Sequence, residues 1–173
     1  MNSKDVAFAG LFAALTAVGA QISVPIGPVP FTFQVFFVLL SGILMGARLG
    51  FLSQLAYIII GAVGFPVFAE FSGGFAHLYG PTGGYLVAFP IAALLAGYIT
   101  ERSNESAMGM AISVLLGLAV IYLLGWLRIG FYLGGNFVKA LELGVLPFLP
   151  LDLIKAALAV ATAKTVRKMV GMT

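Results

Sequence analysis

Long apolar runs, separated by short polar or glycine- and proline-rich stretches, fill most of this 173-residue chain. The first charge-free run begins at residue 6 and is about twice as long as the ~20 residues that a helix needs to cross a bilayer. A cluster of prolines at positions 25, 28 and 30 divides that run in two. The pattern predicts an all-α bundle of six transmembrane helices in a single transmembrane domain, residues 1–173. The predicted spans are residues 6–24, 32–46, 49–68, 83–100, 107–127 and 151–166.

The composition excludes several classes of protein. Hydrophobic residues make up 61% of the chain and charged residues only 9%, which is incompatible with a water-soluble globule. The sequence contains no Cys and a single His, so we expect neither thiol chemistry nor a metal centre, and no cofactor. The net charge of +3 comes from cations scattered between apolar spans. We interpret these cations as topology signals and expect a lipid bilayer as partner, not nucleic acid.

The cations also predict an orientation in the membrane. Assigning the connections alternately to two sides places more Lys and Arg on the side of both termini, which the positive-inside rule makes cytoplasmic. The opposite side carries the three longer connections, and all eight prolines fall in that half of the molecule. Irregular backbone at membrane depth is tolerated where it lines a cavity, so we expect a binding site that opens outward. The cytoplasmic cations are Lys4, Arg48, Arg102, Lys164, Arg167 and Lys168, and the outer ones are Arg128 and Lys139.

Two ionisable residues at the start of the sixth span are the strongest candidates for ligand binding. Asp152 and Lys155 are three residues apart, hence on one helix face, and ionisable groups inside spans are costly enough to suggest function. Asp152 supplies acceptors and Lys155 supplies donors, which suits a ligand with N–H groups and an acceptor or anion. The alternative is a helix-start Asp beside a Lys that extends to the membrane interface. A Lys on the outer side opposes the charge bias, which favours the functional interpretation.

Further candidates surround this pair at the outer ends of other spans. Aromatic walls with few polar anchors are typical of small-molecule pockets. Phe33 and Phe71 could equally be ordinary packing, whereas the polar tips of Gln34 and Tyr85 need partners. The glycine-rich loop before the fourth span has no G-x-x-x-x-G-K motif, so any energy that the function needs must be supplied elsewhere. The predicted substrate-binding residues are Thr32, Phe33, Gln34, Phe71, Thr82, Tyr85, Asp152 and Lys155.

The first span carries rows of small residues at four-residue spacing. Ala9, Ala13 and Ala17 form one row, and Gly10 and Ala14 form a second. Such rows let another helix approach closely. The residues alone leave open whether that helix belongs to this bundle or to a partner subunit, with an internal contact favoured.

Three segments together resemble the BioY family, the biotin-specific substrate-binding (S) components of energy-coupling factor (ECF) transporters. They are residues 80–86 (GPTGGYL), 28–34 (PVPFTFQ) and 150–155 (PLDLIK). The resemblance implies a non-enzymatic six-helix subunit that captures biotin from outside, in a prokaryotic plasma (inner) membrane. It also implies that this subunit functions together with a transmembrane coupling subunit and two ATP-binding-cassette ATPases. Docking to the coupling subunit would then use Ala9, Ala13 and Ala17. The alternatives are an S component for another vitamin and, from a different class, a channel or an intramembrane enzyme.

Overall fold

The computed structural model describes residues 2–170, and within them the chain forms seven α-helices and one two-stranded antiparallel hairpin. In that part of the chain, α1, α2, α4 and α5 are each long and apolar enough to cross a membrane. The α6 and α7 helices, bent by 53° at their junction, make a fifth candidate when taken as one span. The elements are α1 (Ser3–Gln21), β1 (Ser23–Ile26), β2 (Val29–Thr32), α2 (Gln34–Ala62), α3 (Ala76–Tyr79), α4 (Gly83–Arg102), α5 (Ala107–Tyr132), α6 (Phe137–Gly144) and α7 (Leu149–Val170).

A β-hairpin occupies the proline-rich break between the first two predicted spans. β1 and β2 pair in antiparallel register from Ser23 opposite Thr32 to Ile26 opposite Val29, and Gly27 takes a positive φ of 67° in the connecting turn. Prolines lack the N–H donor, and a two-stranded ribbon tolerates them because both strands are edges. Residues 23–24 and residue 32 are therefore strand, and the prediction that they belong to helices is wrong.

The α2 helix is interrupted at Gly46, which has φ 83° and ψ 175°. A methyl group at Gly50 would lie 2.8 Å from the Cα of Gly42, although eight residues of continuous helix would separate the two by about 12 Å. Residues 34–45 and 47–62 therefore form two arms that fold back on each other. Glu101 caps the second arm, since its Oε1 accepts a hydrogen bond from the Ala47 N–H at 2.9 Å. This reversal lies at the last residue of the predicted second span, directly before the predicted break at residues 47–48.

Several helix ends differ from the predicted ones. α2 ends at Ala62, six residues before the predicted end, because Gly64 adopts a positive φ of 112° and Pro66 follows. α5 continues to Tyr132, beyond residue 127, and the connection after it contains α6. The connection before α4 likewise contains the single turn of α3.

The core is centred on α2, which packs against α1, α4, α5 and α7. α2 and α4 can approach closely because the fully buried Ala93 and Ala96 of α4 lie against Gly42 of α2. A buried polar cluster ties α1 to both arms of α2. In this cluster the Gln54 amide donates to the hydroxyls of Thr16 at 3.1 Å and Ser41 at 3.3 Å.

A second set of polar contacts closes the end of the bundle where α4 and α7 finish. Arg167 is 5% exposed, and its Nη2 donates to the Ile43 carbonyl of α2 at 2.7 Å. The same guanidinium forms an ion pair with Glu105, in the turn between α4 and α5. Three parts of the chain are therefore joined at this end through one buried side chain.

Candidate ligand-binding site

A cavity of about 410 Å³ lies at the opposite end of the bundle, where α4 and α7 begin. Its walls come from the β-hairpin, the segment between α2 and α4, the first turns of α4 and α7, and the middle of α5. The volume falls within the range of about 300–1,000 Å³ that is usual for small-molecule sites. Six of the predicted binding residues line it: Thr32, Gln34, Thr82, Tyr85, Asp152 and Lys155.

The Asp152–Lys155 pair lies inside the protein at the cavity wall. Lys155 Nζ donates to Asp152 Oδ1 at 2.5 Å, and the two residues are 3% and 4% exposed respectively. Both belong to the first two turns of α7, and their spacing of three residues brings them to the same face. The alternative in which Lys155 extends to the membrane interface is incompatible with this burial.

Two residues that the sequence analysis did not identify complete the surroundings of the pair. The Tyr122 hydroxyl, on α5, donates to Asp152 Oδ2 at 2.6 Å. The Phe31 ring lies under the ammonium, with 3.7 Å from Lys155 Nζ to the ring centroid, which is a favourable cation–π distance. Lys155 also donates to the Thr32 carbonyl at 2.5 Å and so ties α7 to the end of the hairpin.

A chain of hydrogen bonds continues from Thr32 along the second wall. The Thr32 hydroxyl donates to Gln34 Oε1 at 2.8 Å, and Gln34 Nε2 donates to the Tyr57 hydroxyl at 2.5 Å. Tyr57 in turn donates to the Val67 carbonyl at 3.1 Å, next to the cavity-lining Phe68. The buried amide of Gln34 therefore has partners within the protein, and the chain fixes the segment after α2 to the hairpin.

The wall formed by α4 is anchored through Tyr85. Its hydroxyl donates to the Gly144 carbonyl at the end of α6, at 2.5 Å, so its polar tip holds the long connection after α5 in place. Thr82 lies at the N-cap position of the same helix. The cavity also has apolar walls, in which the Phe31 and Phe148 rings lie nearly parallel with centroids 6.4 Å apart.

Phe33 and Phe71 lie outside the cavity lining, and their contact with a ligand stays a prediction. Phe33 packs against Phe36 and Phe37 at centroid distances of 4.9 and 5.9 Å, and its ring centroid lies 6.0 Å from Lys155 Nζ. Phe71 is 72% exposed, and only its backbone is held, through the N–H donated to Gln21 Oε1. Within the described residues, no group of three His, Cys, Asp or Glu side chains is arranged to hold a metal ion.

The two rows of small residues on α1 face different surroundings. Ala9 and Ala13 are 8% and 4% exposed and pack inside the bundle, and Ala17 is half-buried. Gly10 and Ala14, on the neighbouring row, are exposed, and a methyl group at Gly10 would meet nothing within 4 Å. Ala9 and Ala13 thus cannot form an accessible docking surface in this conformation, because α2 covers them.

These observations define a helical membrane protein that can hold a small molecule at one end of its bundle. The model of the BioY family matches residues 1–172. The chain therefore belongs to the BioY family.

Relatives and a solved structure agree with this assignment. The probable biotin transporter BioY of Pyrococcus horikoshii is 54% identical over 164 residues, which cover 95% of this chain and 96% of that one. The biotin transporter BioY of Thermotoga maritima is 45% identical over 161 residues, covering 93% and 94%. The crystal structure of an S component for biotin from an ECF-type ABC transporter superposes with a TM-score of 0.90 at 28% identity. That match covers 97% of this chain and 95% of the solved one.

Proposed function

We propose that this protein is the biotin-binding S component of an ECF-type uptake transporter. The observation that carries the proposal is the buried Asp152–Lys155 pair at the wall of a cavity in a BioY-family fold. The biotin transporters among its relatives support a role in transport for this cavity. The chain is then a substrate-binding subunit.

Biotin has the chemistry that this cavity offers. Its ureido ring carries two N–H donors and one strong acceptor, its thiophane ring is apolar and its tail is a carboxylate. Asp152 keeps acceptor sites beyond the two that Tyr122 and Lys155 occupy, and these would receive a ureido N–H. Phe31, Phe68 and Phe148 offer apolar surface to the bicyclic ring.

The direction of capture follows from the distribution of charge along the bundle. Six crossings are supported if the reversal at Gly46 divides α2 into two and the bent α6–α7 pair counts as one. The cavity then opens on the side with few cations, and both termini lie in the cytoplasm of a prokaryotic cell. The charged end, with Arg102, Lys164, Arg167 and Lys168, faces inward.

Energy for uptake would come from an ECF module, a transmembrane coupling subunit with two ATP-binding-cassette ATPases. We place the docking surface for the coupling subunit on the exposed α1 row of Gly10 and Ala14, since a partner helix can approach there. Gly10→Trp should abolish co-purification with the coupling subunit and leave biotin binding intact. Ala13→Trp is the contrasting variant, because its indole would enter the core and should disturb folding and both interactions together.

Biotin binding to the purified protein, measured by calorimetry in detergent, tests the central proposal. A saturable site with one biotin per chain is expected. An S component for another vitamin would leave biotin unbound and take up that vitamin instead. A channel would conduct ions in liposomes that contain no ATPases, and an enzyme would turn over a substrate there.

A further inference from the structure

The carboxylate of Asp152 receives one hydrogen bond on each of its oxygens, from two different helices. Lys155, on the same helix, donates to Oδ1 at 2.5 Å, and Tyr122, on α5, donates to Oδ2 at 2.6 Å. We propose that Tyr122 is a positioning residue for ligand capture, which orients the Asp152 carboxylate so that its remaining acceptor sites face the cavity. This inference rests on the proposed function, since it concerns how the same site recognises an N–H donor.

The carboxylate needs such an anchor because Lys155 alone does not define its orientation. An ionised carboxylate has about four acceptor sites, and an ammonium is a compact donor that can satisfy either oxygen or both. Lys155 lies on the same helix three residues away, so rotation about the Asp152 side chain would keep the ion pair while turning the acceptor sites away from the cavity. A donor fixed on another helix removes that freedom and leaves one acceptor site on each oxygen.

Tyr122 is placed to act in this way. Tyr122 is 8% exposed, and the adjacent Ile121 is fully buried, so α5 holds the phenol firmly at the cavity wall. One turn further along the helix, Gly125 leaves the space that the Tyr85 ring fills. Two other tyrosines bond elsewhere, the half-buried Tyr85 to the Gly144 carbonyl and the buried Tyr57 to the Val67 carbonyl. Tyr122 is thus the tyrosine committed to the ion pair.

The test is a double-mutant cycle on biotin affinity with Tyr122→Phe, Asp152→Asn and the combined variant. Tyr122→Phe keeps the ring and removes the hydroxyl, and should weaken biotin binding by about 10- to 100-fold, the range for a hydrogen bond to a charged group. If Tyr122 acts through the carboxylate, the same change in the Asp152→Asn background should weaken binding by less than about three-fold. Tyr98→Phe, at the far end of α4, is the matched control and should bind like the wild type.

Each outcome decides the matter. A Tyr122→Phe penalty that is equal in both backgrounds, or absent, overturns the positioning role while leaving biotin capture in place. A wild-type chain that does not bind biotin overturns the proposed function and this inference with it. Should Tyr122→Phe not fold, 3-fluorotyrosine at position 122 retains the ring and the hydroxyl but changes its strength as a donor. This replacement should then change biotin affinity when residue 152 is Asp and leave it constant in the Asp152→Asn variant. An equal change in biotin affinity in both backgrounds would refute the positioning role.

Discussion

The two ends of α7 each bury a cation, but the surroundings of these cations differ. Lys155 pairs with Asp152 on its own helix, and both residues line a cavity. Arg167, twelve residues later, reaches outside its helix to the Ile43 carbonyl and to Glu105, whose side chain is 42% exposed. The first arrangement also contacts the hairpin, through the Thr32 carbonyl, and α5, through Tyr122, and its polar atoms line the cavity. The second connects α7 to α2 and to the turn between α4 and α5.

Burial of a charge alone therefore does not identify a binding site. Both cations carry a similar desolvation cost, and in both cases hydrogen bonds and an opposite charge offset that cost. The two ends differ in the groups that a ligand could reach. At the cavity, Asp152 keeps acceptor sites that a ligand can reach, whereas Arg167 Nη2 is directed at the Ile43 carbonyl and Nη1 at the partly solvated Glu105 carboxylate. We therefore assign capture to the first end and closure of the bundle to the second.

Removing Lys155 should give the largest effect. Lys155→Met leaves Asp152 buried with Tyr122 as its remaining partner, and loss of one member of a buried pair costs about 3–5 kcal/mol of stability. Biotin binding should be lost as well. Thermal unfolding in detergent and calorimetry measure the two effects, with Lys139→Met, an exposed lysine of α6, as control. Combining Lys155→Met with Asp152→Asn should restore stability but not binding, and a double variant as unstable as the single one would contradict this account.

Neutralising Asp152 should separate binding from stability. Asp152→Asn keeps the shape of the side chain and removes its charge, so biotin binding should weaken by about 1.5–3 kcal/mol through loss of charge-assisted hydrogen bonds. The melting temperature should change less than in Lys155→Met, because the amide oxygen can still accept from Tyr122 or Lys155. An unchanged dissociation constant would remove Asp152 from the list of ligand anchors.

Removing Arg167, the cation at the other end, should lower stability and leave biotin binding nearly unchanged. Arg167→Met should lower the free energy of unfolding by about 1–3 kcal/mol, since the Ile43 carbonyl loses its donor while Glu105 can turn to solvent. Biotin affinity should change by less than about three-fold, as sites this far apart usually act independently. Lys168→Met, at an exposed neighbouring position, is the control. A large loss of binding in Arg167→Met would show that the two ends are coupled.

The features of the molecule that depend on spacing along the chain were predictable from the sequence, whereas those that depend on helix packing were not. Three-residue spacing on one helix was enough to bring Asp152 and Lys155 together, and the break predicted beside the cation Arg48 lies directly after the reversal of α2 at Gly46. Tyr122 could not be found in this way, because its role depends on how α5 is rotated against α7. The one available signal was a polar tip in the middle of an apolar run, which needs a partner when buried.

Two other features depended on information that the sequence does not carry. Small residues recur on two rows of α1, and spacing shows that both rows exist but not which one α2 covers. The hairpin at residues 23–32 was hidden by its prolines, which indicate a break in a helix but cannot distinguish an irregular loop from a two-stranded ribbon. Pairing across the Gly27–Pro28 turn is a tertiary outcome, stabilised where Lys155 holds the Thr32 carbonyl.

The smallest effect is expected at Phe71, and it tests whether the segment around this residue belongs to the binding site. The Phe71 side chain is 72% exposed and lies outside the cavity lining, while its backbone N–H is held by Gln21. Phe71→Ala keeps that hydrogen bond and removes only surface-exposed ring atoms, so biotin affinity should change by less than about two-fold. Phe148→Ala is the matched contrast, since Phe148 is 4% exposed and lines the cavity, and its loss should weaken binding measurably. Equal losses for the two variants in calorimetry would mean that the segment around Phe71 closes over the ligand, and the boundary of the site would then have to include it.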